Sequence, residues 1–335
     1  MSETLSRARP RAVLWGNLQW HPAAEAWAAF AADEVTATPE IIEVLRKGKK
    51  SATYRLVGAG PSGESIIAQR SQPARASIER TVHEDILPHV PVPAPRYYGS
   101  WTESGSEEFV WIFVEDMGDD RFAAMDPVHL TLAGRWVGAL HVAAAEIPAA
   151  RRLPDGGPGR YLRHLHSGRD TLRRNLKNPA LDPDGIALLD QVVASLDTIE
   201  RAWSRFENAC NAFPRTLVHG DIQRKNIHVR SGATGPELCL IDWETAGWGL
   251  PAVDLPKLDL TAYHSVVGAV WPHVRLDDVH RVAAVGTALQ QVAGIDWVSP
   301  ELGDERPLCV VRPLSWLRVY HGRLIHALHE LGDLT

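Results

Sequence analysis

Between positions 216 and 242, in a half of the chain otherwise patterned as helix, the sequence breaks into short β-type runs around LVHGDIQRKNIHVRSGATGPELCLID. Residues 227–230 and 238–241 read as two strands, and SGATGPE between them is a turn rich in Gly and Pro. The simplest hairpin register pairs 230 with 238 and 227 with 241. That register sets Asn226 across from Asp242, about 5 Å apart at Cα. Two oxygen-bearing side chains at the open end of one hairpin can share a hard cation, and Mg²⁺ prefers such ligands, completed by phosphate and water. Asp221 lies five residues before Asn226, in a loop entered from the apolar pair Leu217-Val218, within reach of the same site. The set suits phosphoryl transfer, which asks of a protein metal charge, alignment and a carboxylate to accept a hydroxyl proton. Each residue alone is an ordinary turn residue. Together, in this order, they form a candidate site.

The rest of the chain supplies a setting for that island. Residues 1–37 read as an N-terminal extension with a short helix at 22–34, Pro22 in its first turn and Trp27 and Phe30 on one side. Residues 38–117 form a strand-rich block: short runs at 41–45, 53–57 and 65–69, a helix at 78–87 stopped by Pro88, Pro91, Pro93 and Pro95, then strands at 96–101 and 108–114. From 118 to 335 the pattern turns helical, with apolar residues at three- and four-residue spacing over 128–145, 168–177, 185–207, 276–292 and 313–331. The last of these ends at Gly332, a good C-terminal cap. The expectation is an α+β chain of two lobes, a small antiparallel β lobe and a larger, mainly helical lobe.

The motif H-G-D-x-x-x-x-N followed by an apolar strand ending in I-D resembles the aminoglycoside phosphotransferase and choline kinase group of small-molecule kinases. The resemblance implies a two-lobed protein-kinase-like fold. It implies Asp221 as catalytic base and Asn226 and Asp242 as Mg²⁺ ligands, with ATP as co-substrate and GTP as the other option. Gly249-Leu250-Pro251-Ala252-Val253-Asp254-Leu255 is similar to the family's G-x-P-x-x-D-L element, which makes Asp254 a brace for the catalytic loop. Gly138-Ala139-Leu140-His141 resembles the L-G-x-L-H helix, in which the histidine is structural; Val137 stands in for the first leucine. The match covers roughly 40–260 of the chain.

On the nucleotide side, Gly58-Ala59-Gly60-Pro61-Ser62-Gly63 spells G-x-G-x-x-G, but a strand pattern rather than a helix follows it, so it reads as a hairpin turn. The phosphate-loop candidate is Arg46-Lys47-Gly48-Lys49-Lys50-Ser51, where amides near Gly48 and Ser51 can approach phosphate; a solvated basic turn is the other reading. In such a lobe the third strand carries a phosphate-contacting lysine paired to a helix glutamate. Here Gln69 stands at that place, with Arg70 next to it on the opposite face. Three alternatives stay open: Arg70 substitutes through a local bulge, Gln69 makes a neutral contact, or activity is lost. Glu79 is the expected helix glutamate, with Glu84 as the alternative. By the resemblance, the backbone of Phe113-Val114-Glu115-Asp116-Met117, where the two lobes join, hydrogen-bonds the adenine edge, with Glu115 and Met117 as its site residues; an ordinary strand end is the other reading.

For the acceptor, the arginines and lysine of 150–180 outnumber Asp155 and Asp170, a balance that would repel polycationic aminoglycosides if it lined the pocket. The plainer reading is a solvated helix face. Trp243 and Trp248 are candidates to stack on a sugar or ring, or else core, and His164 and His166 are a metal pair or a surface loop. A net charge of −6, from 41 acidic and 35 basic residues, argues against a nucleic-acid partner. Three cysteines without paired spacing fit a reducing compartment, and no apolar run such as 266–271 reaches membrane-span length. The reading is a cytoplasmic small-molecule kinase whose partners are a nucleotide and a hydroxyl-bearing metabolite or antibiotic. The alternatives are a catalytically silent kinase fold, favoured by Gln69, and an aminoglycoside-resistance kinase.

Overall fold

The structure is a computed structural model and describes residues 12–31, 38–48, 51–102, 108–120, 122–232 and 235–332. Along the chain come β1 (Ala12–Trp15), α1 (Pro22–Phe30), β2 (Ile41–Lys47), β3 (Ala52–Val57), β4 (Ile66–Ser71), α2 (Pro73–Arg80), β5 (Tyr97–Trp101) and β6 (Val110–Glu115). Then follow α3 (Pro127–Ala144), α4 (Pro158–Asn175), α5 (Pro183–Arg201), α6 (Trp203–Cys210), β7 (Thr216–Val218), β8 (Ile227–Gly232), β9 (Gly235–Leu240), β10 (Gly247–Gly249), α7 (Leu260–Val270), α8 (Leu276–Val298) and α9 (Pro307–Leu331). The chain divides into two compact units: Met1–His129 with Ile222–Ala246, and Leu130–Asp221 with Gly247–Thr335. No helix among the described residues is long and apolar enough to cross a membrane.

In the first unit an antiparallel sheet runs β1-β2-β3-β4-β6-β5. Alternation sorts its side chains onto two faces. Ala52, Tyr54 and Leu56 of β3 and Ile66 and Ala68 of β4 enter a core with Ile42, Trp111 and Phe113. Trp27 of α1 joins that core, 5.1 Å from the Phe113 ring centroid, and its indole N–H donates to Ala59 O at 2.9 Å. Segment 1–37 is therefore no appendage in its described part. β1 adds an edge strand, with Leu14 opposite Ile42, and α1 covers one sheet face. The four-residue run AVLW carries no turn or periodicity signal strong enough to announce this pairing.

Two further expectations are corrected here. The helix expected at 78–87 begins at Pro73, which takes the first-turn position, and then loosens into a π-helical stretch at Thr81–Ile86 and a 3₁₀ turn at Leu87–His89. The β8–β9 hairpin is shifted by one residue from the simplest register: Arg230 pairs with Glu237 and Ile227 with Leu240, because the strands extend to a Gly232–Gly235 pair. Asn226 accordingly stands opposite Ile241, whose N–H donates to Asn226 O at 3.0 Å. Asp242 follows in left-handed backbone with φ 68°. The G-x-G-x-x-G segment is the turn between β3 and β4, closed by Gly60 N–H to Glu64 O at 2.9 Å.

The second unit is helical around one two-stranded ribbon, β7 with β10. α8 is buried along most of its length. At Gly286 it lies so close to the 3₁₀ turn Pro251–Asp254 that a Cβ there would stand 1.7 Å from Ala252 O. The 185–207 pattern breaks at Ala202 into α5 and α6. α9 begins at Pro307, earlier than the expected 313, keeps Pro313 inside, and ends at Gly332 with φ 46°.

If α1 is part of the core, Trp27→Ala should lower unfolding stability by about 3–5 kcal/mol, the range for truncating a buried aromatic. Urea denaturation measures this, and a loss well under about 1 kcal/mol would show that the helix adds nothing to the fold.

Candidate active site

The sheet face opposite the Trp27 core carries polar and apolar side chains together. Thr53 and Arg55 of β3 and Ile67 and Gln69 of β4 point to it, and they line a cavity of about 300 Å³ within the first unit. Glu79 and His83 close the helix side, Val114–Asp119 follow β6 along its edge, and Asn226, His228, Ile241 and Asp242 come from the hairpin. Met117, Glu115 and Ser51 line it as well. Seven of the residues singled out from sequence thus share one cavity: Ser51, Gln69, Glu79, Glu115, Met117, Asn226 and Asp242.

Arg70 and Gly48 do not join them. β4 is regular at this point, so alternation turns Arg70 away from Gln69, and its guanidinium lies 4.1 Å from the Phe109 ring centroid. The Gly48 N–H donates to Ser51 O at 2.9 Å, and among the described residues of this segment Arg46 and Ser51 line the cavity.

Gln69 makes the neutral contact. Its amide nitrogen donates to Glu79 Oε1 at 3.0 Å. Burial, reinforced by the negative charges of Asp242 and Glu244, pushes Glu79 up to about 8. A neutral carboxylic acid beside a neutral amide replaces the usual lysine–glutamate ion pair. Glu84 lies elsewhere, accepting from Tyr97 OH at 2.9 Å. His83 is also neutral, lowered to about 4 by burial and stacked 5.1 Å from Tyr97.

The cavity's fixed cation is Arg55, which sequence reasoning missed. Burial opposes its charge, but Asp116 at 2.7 Å, Glu43 at 2.8 Å and Asp119 at 3.2 Å outweigh that and hold its pKa above the ordinary value. Its signal was a basic residue in the middle of the alternation of β3, between the core residues Tyr54 and Leu56. Asn226 is buried and Asp242 shares the cavity, so an amide oxygen and a carboxylate are both on its wall. Among the described residues no group of three or more His, Cys, Asp or Glu side chains could hold a metal ion alone. Two hard donors on the wall of this cavity fit an ion that draws its remaining ligands from phosphate and water, as Mg²⁺ does.

Asp221 belongs to the second unit, where its loop is pinned from below. The buried Asp254 carboxylate accepts from His219 N–H at 2.6 Å and Gly220 N–H at 2.8 Å. His141 Nε2 stands 3.3 Å from Asp254 Oδ2, and His141 Nδ1 is 3.0 Å from Tyr263 OH. Burial and the nearby Asp254 charge push the Tyr263 phenol well above its ordinary pKa, so it keeps its proton. A carboxylate can only accept, so His141 Nε2 is the donor in its contact with Asp254. The His141 carbonyl in turn accepts from Thr216 Oγ1 at 2.6 Å, which ties α3 to β7.

Three arginines of the basic stretch 150–180 pair with carboxylates. Arg163 meets Asp155 at 3.3 Å, while Arg169 and Arg173 meet Asp197 at 2.9 and 3.0 Å. His164 pairs with Asp296 at 2.7 Å and His166 with Glu200 at 2.6 Å, so they do not act as a metal pair. Trp243 is core, and half-buried Trp248 stacks under Arg151.

Solved structures share this architecture. An aminoglycoside phosphotransferase bound to GDP and kanamycin superposes with TM-score 0.60 at 14% identity, over 91% of this chain and 98% of its own. A microcompartment-associated aminopropanol kinase gives 0.62 at 13%, over 93% and 99%. Choline kinase from Cryptosporidium parvum Iowa II gives 0.58 at 12%, over 87% and 90%. Among curated proteins no relative matches. The fold is thus the two-lobed, protein-kinase-like one of the aminoglycoside phosphotransferases and choline kinases. The sequence profile of the phosphotransferase enzyme family matches residues 41–299, and the chain belongs to that family.

The raised Glu79 sets a pH dependence. Unfolded, the group ionises near its ordinary 4.5; folded, near 8. Between those values the folded chain keeps a proton the unfolded chain has lost, so stability falls as pH rises through this window and levels off above it. In ligand-free protein, Glu79→Gln should match the parent near pH 4. It should exceed the parent by on the order of 2–4 kcal/mol at pH 8. Parallel stability curves for the two proteins would refute a neutral Glu79.

Proposed function

We propose that this chain transfers the γ-phosphate of a Mg²⁺-bound nucleoside triphosphate, ATP or GTP, to a hydroxyl of a small molecule. The observation that carries the reading is the cavity wall on which Asn226 and Asp242 stand together with Glu115 and Met117. Hard oxygen donors and the strand-end backbone of a nucleotide site are thereby assembled in one cavity. Asn226 and Asp242 would hold Mg²⁺, which supplies positive charge against the phosphates when bound. Arg46 and Lys225, on the same wall, supply cations that Gln69 does not. Backbone groups at Glu115 and Met117 take the base edge.

Asp221 is the proton acceptor in this reading. A carboxylate in that role works by position more than by basicity, and the double hydrogen bond from His219 and Gly220 to Asp254 fixes the backbone just before it. The neutral Gln69–Glu79 pair favours a second reading, a kinase fold that binds without catalysing.

Thermal unfolding with excess Mg²⁺-ATP and Mg²⁺-GTP separates the two. A ligand at a hundred times its Kd stabilises by about 2.7 kcal/mol. The parent should shift and Asp242→Ala should not; a folded parent indifferent to both nucleotides over a wide range would overturn the nucleotide site. Asp221→Asn should retain the shift and lose about 10²–10⁴-fold in turnover. A parent that binds nucleotide while this variant turns over at the parent rate would remove Asp221 from the base role.

A further inference from the structure

Two residues of α2, four apart and so on the same side of the helix, reach other elements of the first unit. Glu79 meets β4, accepting from the Gln69 amide at 3.0 Å, a contact between neutral groups. Arg75 meets the chain just past the β8–β9 hairpin: its Nη1 donates to Glu244 Oε2 at 2.7 Å, and this contact is an ion pair. Arg80, the other basic residue of α2, stays within its own helical run, 3.6 Å from Glu84. Among the described residues, Arg75–Glu244 is thus the charged tie from α2 to another element.

Glu244 stands two residues beyond Asp242. Before Asp242, the Ile241 N–H is bonded to Asn226 O at 3.0 Å. Asp242 itself takes left-handed backbone, φ 68° and ψ 63°, a conformation that persists at a residue other than glycine where the surroundings impose it. After it, Trp243–Thr245 form a 3₁₀ turn, closed by Ala246 N–H to Trp243 O at 2.9 Å and anchored by the fully buried Trp243. The Glu244 carboxylate, only 12% exposed, is what this turn presents to α2. On the helix side, an arginine in the first turn works against the helix dipole. α2 offsets it with neither a side-chain cap at Gln72 nor an acidic residue in that turn. Helix propensity therefore does not explain Arg75; the partner it reaches does.

We propose that Arg75 is a positioning residue for nucleotide binding: its ion pair with Glu244 fixes the Asp242 turn against α2, so that Asp242 and Glu79, on the wall of one cavity, keep their spacing. The inference rests on reading Asp242 as a ligand of the Mg²⁺ that accompanies the nucleotide. In kinase-like lobes a lysine–glutamate ion pair from strand to helix does this work. Here the strand contact is the neutral Gln69–Glu79 bond, and the charged contact of α2 is with the turn that follows the metal carboxylate. Neither Arg75 nor Glu244 is on the cavity wall, so both act through Asp242.

Calorimetric titration of the full chain tests it, with Mg²⁺-ATP and Mg²⁺-GTP and with each nucleotide in EDTA, on the parent, Arg75→Met, Glu244→Gln, the double variant and Arg75→Lys. The two single variants remove opposite charges but break the same link. A positioning role moves both in one direction: Mg²⁺-nucleotide binding should weaken by about five- to tenfold, with metal-free nucleotide bound as by the parent. The double variant should lose no more than either single one, and Arg75→Lys should stay within about twofold of the parent. A purely electrostatic role would move the single variants in opposite directions, since the charge lost near Asp242 differs in sign. That result, or two single variants equal to the parent, overturns the proposal. A half-exposed ion pair adds little to global stability, so the ligand-free Tm of Arg75→Met should match the parent's. Amide hydrogen exchange on ligand-free protein gives a readout that needs no metal. Exchange across 73–80 and 243–246 should quicken in both single variants and not in Arg75→Lys; parent-like exchange in all of them would also overturn the link. A parent that binds neither Mg²⁺-nucleotide would undo the nucleotide reading and this inference with it, whereas a binding parent with indifferent variants removes the positioning role alone.

Discussion

The second unit depends on one buried carboxylate. Asp254 has no solvent contact, and a charge in that position is tolerable only because two backbone N–H groups and an imidazole N–H satisfy it. The same bonds fix the backbone of His219 and Gly220, for which no other regular structure is at hand. Tyr263 from α7 and Thr216 from β7 both bond to His141 of α3, at its ring and its carbonyl, and His141 in turn contacts Asp254, so these elements are tied to the carboxylate through one histidine. Take away the charge, and the donors around it become the liability.

The first unit reaches a comparable result by avoiding charge. Its sheet separates an apolar face, sealed by Trp27, from a mixed face whose polar residues Thr53, Arg55 and Gln69 line the cavity. A lysine at position 69 would have met a glutamate pressed by Asp242 and Glu244; with glutamine there, the glutamate keeps its proton. The departure at Gln69 and the state of Glu79 are two sides of one adjustment. Positive charge is held instead at Arg55, clamped by three carboxylates.

Much of this was legible in the sequence, and the misses have physical causes. The two-part pattern of strands and helices follows from side-chain period, which is local and survives in a single sequence. The H-G-D-x-x-x-x-N and I-D segments led to Asn226 and Asp242, and both line the cavity even though the hairpin register is one residue off. Register depends on where the turn falls, and the glycines of SGATGPE allow more than one place for it. β1 was missed because strand pairing is a long-range event that a four-residue run does not announce. Arg55 was missed because only its three-dimensional partners distinguish it from any strand arginine. The role of Arg70 was left between alternatives that alternation along β4 alone decides.

The close approach at Gly286 has a consequence for how this chain can vary. With a side chain excluded there by the Ala252 carbonyl, α8 and the Pro251–Asp254 turn have no compliant layer between them. A displacement of the long helix is passed on rigidly to the carboxylate two residues beyond Ala252. Position 286 is therefore a fixed point for sequence drift and for engineered libraries alike, although it lines no part of the cavity in the first unit.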